Sequence, residues 1–347
     1  MSFYEPIFIV YADIVKQNIK QMLAKANKNN VVLRPHFKTH QSIEIGNIFK
    51  DFGISKITVS SLEMAYFFAN NSWNDITIAF PINFKNTKQI NALAKKIRLN
   101  IIISTIESIN FIAELSNINF LIEIDTGYNR TGFSHNNFND IEASIKEINK
   151  NNKFIGFLNH SGNTYSANNT DKIITIYNSS KEKLQELQTK FTKYKPIISV
   201  GDTPSCSIIE NFEGINEIRP GNFVYYDLMQ YNLGVCTEKQ IGAVLYAPII
   251  AMYPERNQMV IHAGAVHLSK EYISYKGKKC YGLISKTNKT GIEIIDGVYI
   301  SSLSQEHGII TFHNNKITEF KLYETIAIIP VHSCLTANLM KHQQEIL

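Results

Sequence analysis

The stretch Val31–His40, with the sequence VVLRPHFKTH, joins an apolar run to a basic heptapeptide that begins at Arg34. The apolar run predicts a buried β-strand that ends at Lys38. His36 and His40 flank this lysine at a spacing of two residues. A lysine that is poorly solvated and close to other cations favours its uncharged amine, which can attack a carbonyl carbon. The alternative is a solvated lysine just past a strand, as most lysines of a globular chain are.

Seven further short apolar runs follow the first, and segments with helical periodicity separate them. Strands that alternate with helices in this way predict an α/β fold with a parallel sheet, and eight of them predict a (β/α)8 TIM barrel. The eight predicted strands are Val31–Lys38, Lys56–Ser61, Ile76–Pro81, Leu99–Ser104, Asn119–Asp125, Phe154–His160, Ile197–Asp202 and Asn216–Gly221. The clearest helical segments are Asp13–Ala26, Thr105–Glu114, Asn137–Lys150 and Thr170–Phe191.

The pattern changes near Gln240 to alternating strands that are separated by glycine, asparagine and lysine turns. The predicted strands here are Lys278–Ser285, Gly291–Ile300, Gly308–Phe312 and Glu319–Ile329. The sequence therefore predicts a barrel over residues 10–235 and a C-terminal β-rich domain over residues 236–347. Residues 1–9 are a candidate addition to the second domain.

Composition excludes several classes of partner. The 347 residues are 44% hydrophobic and 19% charged, which is ordinary for a globular protein. The net charge of +5 is spread along the chain, so neither nucleic acid nor a membrane surface is an expected partner. The sequence shows no membrane-spanning run and no signal-peptide pattern. Its four cysteines form no CxxC pair. We therefore expect a cytoplasmic protein that binds an anionic small molecule.

Polar side chains and glycines follow the predicted strands, where TIM barrels gather their chemistry. The loop after the fifth strand carries Arg130, and the sixth strand ends at His160. Gly201-Asp202-Thr203 and Gly221-Asn222 follow the seventh and eighth strands, where barrels commonly bind phosphate. Together with Lys38, these loops indicate a cofactor that carries both a phosphate and an aldehyde. Pyridoxal 5′-phosphate has both groups.

Five peptides, spread in order along the chain, carry a family resemblance. They are Arg34–His40, Glu123–Phe133 (EIDTGYNRTGF), His160–Tyr165 (HSGNTY), Val200–Cys206 (VGDTPSC) and Glu217–Asp227 (EIRPGNFVYYD). They resemble the pyridoxal-phosphate enzymes with the alanine-racemase fold, and most closely the branch of D-serine dehydratases and D-threonine aldolases. The resemblance covers essentially the whole chain.

The resemblance implies a role for each residue at the barrel opening. Lys38 would hold the cofactor covalently and would act in catalysis together with Tyr165. Arg130 would lie near the cofactor's phenolic oxygen, with His160 and Tyr165 beside its ring. The residues implied around the phosphate are Gly201, Asp202, Thr203, Gly221 and Asn222.

Arg219 has two interpretations. By the resemblance it faces the cofactor's pyridine nitrogen, where a permanent positive charge would keep that nitrogen unprotonated. The alternative is a structural ion pair with Glu217 or Asp227.

A second group of candidate residues lies near the C-terminus, where His332 and Cys334 follow the apolar run Ile326–Ile329. In an extended segment, residues two apart point the same way, so this imidazole and thiol could close on one cation. The pair alone is weak evidence, but the resemblance implies that this branch carries its divalent metal here. A thiolate favours Zn²⁺, whereas an aspartate at the position of Cys334, typical of the aldolases, suits Mn²⁺ or Mg²⁺.

Three other histidines lie in turns of the β-rich segment. His262 and His267 flank a glycine, and His307 belongs to a QEHG segment. A role in the loop and a contact with substrate are both open for His262 and His267. The role of His307 is open as well.

The resemblance implies a homodimeric pyridoxal-phosphate lyase that acts on a D-3-hydroxy amino acid and releases a 2-oxo acid and ammonia, like D-serine dehydratase. Lys38 would remove the α-proton, and the metal would make hydroxide a better leaving group. One alternative is retro-aldol cleavage to glycine and an aldehyde. A second is a racemase, for which Tyr272, Tyr275 or Tyr281 would supply the opposite acid or base. A third is a non-catalytic pyridoxal-phosphate carrier.

Overall fold

The computed structural model describes residues 3–288, 291–313 and 316–347, and its chain divides into two compact units. The barrel unit comprises residues 20–38 and 42–221. The β unit comprises residues 1–19, 39–41 and 222–347. The predicted domain boundary between residues 235 and 236 stays a prediction. Residues 1–2, 289–290 and 314–315 of the predicted ranges lie outside the described residues.

The strands of the described residues, numbered in chain order, are β1 Ile7–Val10, β2 Val32–Leu33, β3 Lys56–Val59, β4 Asp75–Ile78, β5 Arg98–Ile103, β6 Asn119–Asp125, β7 Phe133–Ser134, β8 Lys153–Asn159, β9 Ile197–Val200, β10 Glu217–Ile218, β11 Ala243–Tyr253, β12 Gln258–His262, β13 Ile273–Tyr275, β14 Lys278–Cys280, β15 Gly282–Asn288, β16 Gly291–Leu303, β17 His307–Phe312, β18 Thr325–Pro330 and β19 Gln344–Ile346.

The α-helices, numbered in the same way, are α1 Ala12–Lys28, α2 Ile43–Asp51, α3 Leu62–Ala69, α4 Thr87–Ala94, α5 Ile109–Ile112, α6 Phe138–Asn151, α7 Thr170–Lys190, α8 Thr203–Ile208, α9 Leu228–Asn232, α10 Ala265–Leu268 and α11 Ser333–Leu339. Short 3-10 turns lie at Phe84–Asn86, Ile106–Ser108, Gly162–Ser166, Thr192–Tyr194, Asn222–Val224, Glu238–Gln240, Pro254–Arg256 and Lys316–Glu319.

The barrel unit is built on eight parallel strands in the order β2-β10-β9-β8-β6-β5-β4-β3. The ring of strands closes where the backbone of Thr58 in β3 hydrogen-bonds to the segment after β2. The Thr58 N–H donates to the Pro35 carbonyl at 2.9 Å, and the Thr58 carbonyl accepts from the Phe37 N–H at 2.8 Å. The predicted strand Val31–Lys38 was wrong in its second half: β2 ends at Leu33, because Pro35 has no N–H to donate to a ladder, and Lys38 lies in the turn over residues 37–40. Each predicted run overlaps one of these strands, which confirms the predicted (β/α)8 TIM barrel.

The packing of the barrel strands depends on apolar side chains and on one glycine. Ile102, Leu121 and Leu158, from three neighbouring strands, form a cluster in which each is 1% exposed. Gly156 of β8 has no room for a side chain, because a Cβ there would lie 2.1 Å from the carbonyl oxygen of Ile197. Glycine at this position therefore permits the close approach of β8 and β9.

The β unit contains an eight-stranded sheet in the order β12-β17-β16-β15-β18-β11-β1-β19. Strand β12 also pairs with β11, so the first six strands of this order close into a barrel. The predicted β-rich C-terminal domain is thus confirmed as a fold class. Strand β18 begins at Thr325, later than the predicted start at Glu319. Tyr323 precedes it with φ of 69°, a left-handed conformation that interrupts a regular strand.

Candidate active site

Lys38 follows a residue that is buried in the barrel unit. Phe37 is 0% exposed, and its ring centroid lies 5.1 Å from that of Phe49, 5.0 Å from Phe68 and 4.9 Å from Trp73. Phe37 anchors the start of the turn over residues 37–40, and Lys38 is the second residue of that turn. The Lys38 side chain is exposed, as an amine that reacts with an aldehyde must be.

Four predicted site residues of the barrel unit lie near His36. The loss of solvent around its ring, together with the charges of Lys38, Arg219 and Arg130 and the neighbouring His160, lowers the pKa of His36 well below its usual value. The structure therefore brings Lys38, Arg130, His160 and Arg219 together around a neutral imidazole. Sequence analysis assigned His36 no role, although its place two residues before Lys38 is a signal that could have found it.

His160 is held as a neutral ring as well. Its Nδ1 lies 2.6 Å from the carbonyl oxygen of Gly201, so this nitrogen carries the proton and donates it. Burial, followed by the charges of nearby cations, lowers the pKa of His160 to about 3. The ring meets the Tyr128 ring edge to face, with centroids 6.0 Å apart, and the Tyr165 ring is 6.5 Å away. The predicted neighbours His160 and Tyr165 are thus close together.

The loop after β6 is shaped by one carboxylate. Oδ1 of Asp125 accepts the N–H groups of Gly127, Tyr128 and Asn129 at 2.8, 2.9 and 3.1 Å. This turn places the Arg130 guanidinium 5.1 Å from the centroid of the Tyr128 ring. The exposed Arg130 is therefore aimed by a turn and a cation–π contact.

Arg219 is buried, and the oxygens it contacts are neutral. Its guanidinium donates to the Ser199 hydroxyl and, at 2.8 Å, to the carbonyl oxygen of Asn159. The Glu217 carboxylate instead pairs with Arg34, whose Nε donates to Oε2 of Glu217 at 2.6 Å. Burial lowers the pKa of Arg219 to about 10, so the side chain stays charged near neutral pH.

The loop after β9 offers hydroxyls that fit a phosphate. Oγ1 of Thr203 and Oγ of Ser205 are buried and have no hydrogen-bond partner among the described residues. The Tyr165 hydroxyl accepts the Thr203 N–H at 3.3 Å. The carboxylate of Asp202 is occupied as the cap of α8, because it accepts the Ser205 N–H at 2.7 Å. Two orphaned hydroxyls at this place fit pyridoxal phosphate, and Asp202 would help by holding the loop.

Gly221 and Asn222, the other predicted phosphate residues, fall on either side of the division between the units. Gly221 ends the barrel unit, and Asn222 begins a 3-10 turn of the β unit. Within the β unit, Nδ2 of Asn222 donates to Asp227 at 2.6 Å, to Ser333 at 3.0 Å and to the Cys334 sulfur at 3.4 Å. The Asn222 side chain therefore belongs to the surroundings of the predicted metal motif.

The metal motif of the β unit is a bend and not an extended segment as assumed in the sequence argument. His332 precedes α11, and Cys334 lies in the first turn of that helix. Asp227 fixes this turn by accepting the Ser333 N–H at 2.9 Å. The sulfur of Cys334 lies 3.3 Å from the hydroxyl of Thr39, the residue that follows Lys38 in the chain. The two predicted ligands meet because the chain turns from β18 into a helix.

The donor set of this motif suits a divalent metal. Nδ1 of His332 lies 2.8 Å from Oε2 of Glu271, which leaves Nε2 as the available ring nitrogen. Burial opposes both charges, but each partner stabilises the other: the pKa of His332 is raised to about 11, and that of Cys334 is lowered. A thiol that already favours its thiolate and an oriented imidazole fit a soft cation such as Zn²⁺.

Two further histidines of the β unit, His262 and His267, form a separate cluster with Glu306. Ligand atoms of His262, His267 and Glu306 lie within 4.8 Å of one another. Nδ1 of His267, however, accepts the Gly264 N–H at 3.2 Å, so the neutral ring carries its proton on Nε2 and acts there as a donor. His262 pairs with the exposed His307 across β12 and β17. This arrangement indicates a hydrogen-bonded turn.

A cavity of about 190 Å³ in the barrel unit lies away from Lys38. Its lining includes Lys56, Arg98 and Glu217, which are the first residues of β3, β5 and β10, and Arg34, which follows the two-residue strand β2. Arg34 is neutralised by Glu217 at 2.6 Å and Asp75 at 2.7 Å. Active sites of TIM barrels lie at the C-terminal ends of the strands. We therefore interpret this cavity as part of the other end of the barrel, which serves stability.

Comparisons with known protein families match both parts of the chain. The profile described as "Alanine racemase, N-terminal domain" matches residues 10–228. The profile described as "Putative serine dehydratase domain" matches residues 243–344. The two matches follow the order of the two folds along the sequence.

Individual relatives cover almost the whole chain. The D-serine dehydratase of Dictyostelium discoideum is 33% identical, over 96% of this chain and 90% of its own length. The solved structure of D-threo-3-hydroxyaspartate dehydratase from Delftia sp. HT23 is 24% identical and superposes with a TM-score of 0.89, covering 97% of this chain and 93% of that one. The D-threonine aldolase of Filomicrobium marinum is 19% identical, with a TM-score of 0.82 and coverages of 96% and 88%. The two structures establish the shared fold.

Proposed function

This chain belongs to the alanine-racemase-fold family of pyridoxal-phosphate enzymes, and we propose that it is a lyase of the D-serine dehydratase type that converts a D-3-hydroxy amino acid into a 2-oxo acid and ammonia. The 33% identity to a D-serine dehydratase over nearly the full length of both chains supports this activity. So does the pairing of a lysine-bearing barrel with a C-terminal imidazole and thiol.

Pyridoxal phosphate, when bound, would supply an aldehyde for the substrate amine and a ring that withdraws electrons from the α-carbon. Lys38 would hold the cofactor and would then accept the α-proton on its amine. The hydroxyls of Thr203 and Ser205 would bind the phosphate, since they are buried and lack partners in the described structure. His160 would stay neutral beside the ring, because its pKa of about 3 prevents protonation at physiological pH.

The β unit would hold one divalent metal, Zn²⁺, through His332 and Cys334. Such a metal supplies Lewis acidity, which makes the substrate's 3-hydroxyl a better leaving group. Thr39 and Asn222 would hold the Cys334 sulfur in place through hydrogen bonds of 3.3 and 3.4 Å. Tyr165 would help to position the loop at Thr203 that binds the phosphate.

The observation that carries the choice of dehydratase over aldolase is the thiol of Cys334. A thiolate beside an imidazole binds a borderline-soft ion tightly, whereas a carboxylate there would suit harder ions. The lowered pKa of Cys334, which His332 produces against the effect of burial, supports the thiolate form.

A product assay on the purified protein with added pyridoxal phosphate and Zn²⁺ tests the proposal. With D-serine and D-threonine as substrates, we expect a 2-oxo acid and ammonia in equal amounts. Glycine and an aldehyde would instead identify an aldolase. Racemisation of L-serine or L-alanine that a chelator does not diminish would identify a racemase. Absence of any turnover would leave the carrier function as the better description.

We also propose that the protein works as a homodimer in the cytoplasm. Dimers are the implied state of the family, and sedimentation equilibrium of the cofactor-loaded protein would show a mass near twice that of the chain. All four cysteines are free, as is typical of a reducing compartment. No described helix is long and apolar enough to cross a bilayer. A fully active monomer would contradict the dimer.

A further inference from the structure

Glu271 has no assigned role, yet its carboxylate hydrogen-bonds to one ring nitrogen of the predicted ligand His332. Oε2 of Glu271 lies 2.8 Å from Nδ1 of the imidazole. A ring N–H that donates to a carboxylate fixes both the tautomer and the ring orientation. When a metal displaces the other ring proton, the remaining proton stays on Nδ1, and Nε2 offers the lone pair that a metal requires.

Glu271 does not complete the ligand set itself. Within the described residues, the three-membered group whose ligand atoms lie within 4.8 Å of one another is His262, His267 and Glu306, and it does not include Glu271. The carboxylate contacts the imidazole at Nδ1. Its effect on a metal would pass through His332 alone.

The backbone of Glu271 is held in place by a turn. Helix α10 ends at Leu268, and Ser269 follows in a left-handed conformation with φ of 68°. The Ser269 hydroxyl then accepts the N–H of Glu271 at 3.3 Å. This turn, which leads into β13, presents the Glu271 side chain to the imidazole.

The two predicted ligands have separate supports. The Cys334 side is held by Thr39, by Asn222 and, through Ser333, by Asp227. On the His332 side, the contact that the described residues provide to the ring nitrogen Nδ1 is Glu271. Removal of Glu271 should therefore take away the acceptor at Nδ1 and leave the hydrogen bonds on the Cys334 side in place.

We propose that Glu271 is the positioning residue that orients His332 for metal binding, an inference that rests on the proposed metal at His332 and Cys334. Loss of such a carboxylate typically weakens metal binding by about 10- to 100-fold. A glutamine keeps an oxygen that can accept the ring N–H but removes the charge, so its effect should be smaller.

The test measures the affinity of the purified full-length protein for Zn²⁺, by competition with a chromophoric chelator. The variants are Glu271→Ala and Glu271→Gln. The matched control is Glu5→Ala, because Glu5 also pairs with Nδ1 of a histidine of the β unit, His262, at 3.3 Å. Urea unfolding of each metal-free protein reports any purely structural loss.

We expect Glu271→Ala to weaken Zn²⁺ binding at least tenfold, Glu271→Gln to weaken it less, and Glu5→Ala to leave it within about twofold. Metal-free stability should change little in all three, since the contact is partly exposed. A Glu271→Ala protein that binds Zn²⁺ as tightly as the wild type would overturn the positioning role alone. A wild-type protein that binds no Zn²⁺ would overturn the metal site of the proposed function and this role with it.

Discussion

Histidines of the two units differ in protonation because their surroundings shift the ring pKa in opposite directions. In the barrel unit, His36 and His160 are neutral, because burial and nearby cations lower the pKa of each ring. In the β unit, His332 faces an acidic thiol and a carboxylate, and its pKa is raised to about 11. The same side chain is thus neutral in one place and protonated in the other, where it would have to release a proton to bind the proposed metal.

The assignment of Lys38 makes a spectroscopic prediction. We expect Lys38→Ala to abolish the visible absorption of bound pyridoxal phosphate and all lyase activity, because no other amine would hold the aldehyde. The measurement is the absorption spectrum after dialysis. Lys146→Ala, at an exposed lysine of α6, is the control and should keep the colour. A Lys38→Ala protein that remains coloured would show that the cofactor is linked elsewhere.

The assignment of Cys334 predicts a loss of metal. Cys334→Ala should reduce bound Zn²⁺ from about one ion per chain to a small fraction and lower activity in proportion, because one of two protein ligands is gone. Elemental analysis of the dialysed protein measures the metal. Cys280→Ala removes another free thiol of the β unit, whose sulfur donates a hydrogen bond to the carbonyl of Gly282, and should retain metal. Equal metal contents would exclude this site.

At the scale of elements, short helices at strand ends set the position of the functional groups. The N–H groups at the start of α8 are capped by Asp202, and the first turn of α11 is held by Asp227. Both carboxylates are buried, and burial raises the pKa of each. These caps cost stability through desolvation, and they give the loops a fixed shape.

The cap of α8 predicts a change in pH dependence. Burial raises the pKa of Asp202 from 3.8 to about 6. A carboxyl whose folded-state pKa exceeds its unfolded value binds its proton more tightly when folded, so its contribution to stability falls as the pH rises from about 4 to 6. Asp202→Asn keeps an oxygen for the Ser205 N–H and cannot ionise. We expect it to be more stable than the wild type near neutral pH, by on the order of 2 kcal/mol.

Urea unfolding of the cofactor-free proteins at several pH values between about 4 and 7 measures this difference. The gap between Asp202→Asn and the wild type should be smallest at the acidic end and should widen toward pH 6. Asp202→Ala, which loses the cap altogether, should lie about 1 kcal/mol below the asparagine variant at every pH. Two parallel stability curves would contradict a raised pKa for Asp202.

At the scale of the whole molecule, the two ends of the chain meet in one sheet. Strand β1 pairs with β11 on one side and with β19 on the other. Phe8, Ile9 and Val10 of β1 are each 0% exposed. The N-terminal residues before the barrel are therefore a structural part of the β unit.

Deletion of residues 1–10 should consequently destabilise the β unit strongly. Each buried side chain of β1 contributes roughly 1.5–3 kcal/mol, and the deletion also leaves β11 and β19 with unpaired edges. We expect a lower thermal midpoint and aggregation, measured by calorimetry and light scattering. Deletion of residues 1–4 spares β1 and should have a much smaller effect. Equal behaviour of the two shortened chains would show that β1 is dispensable.

Much of the fold could be predicted from the sequence because its signals are local. A run such as Asn119–Asp125 is apolar and bounded by turn residues, so it predicts its own strand, and β6 has the same limits. The predicted strand at Glu319–Ile329 was wrong over its first residues. The left-handed Tyr323 interrupts it, and neither apolar content nor periodicity reports such a conformation.

The sequence by itself determined which residues could do the chemistry: Lys38 in a basic heptapeptide after an apolar run, glycine and hydroxyl loops after later strands, and an imidazole two residues before a thiol. Each of these signals lies within a few consecutive residues. Only the tertiary structure decided the environment of those groups. Glu271 meets His332 across 61 residues of sequence, and Asn222 meets Cys334 across 112. Protonation, tautomer and orientation depend on such through-space contacts and on burial, which arise only when distant segments of the chain pack together.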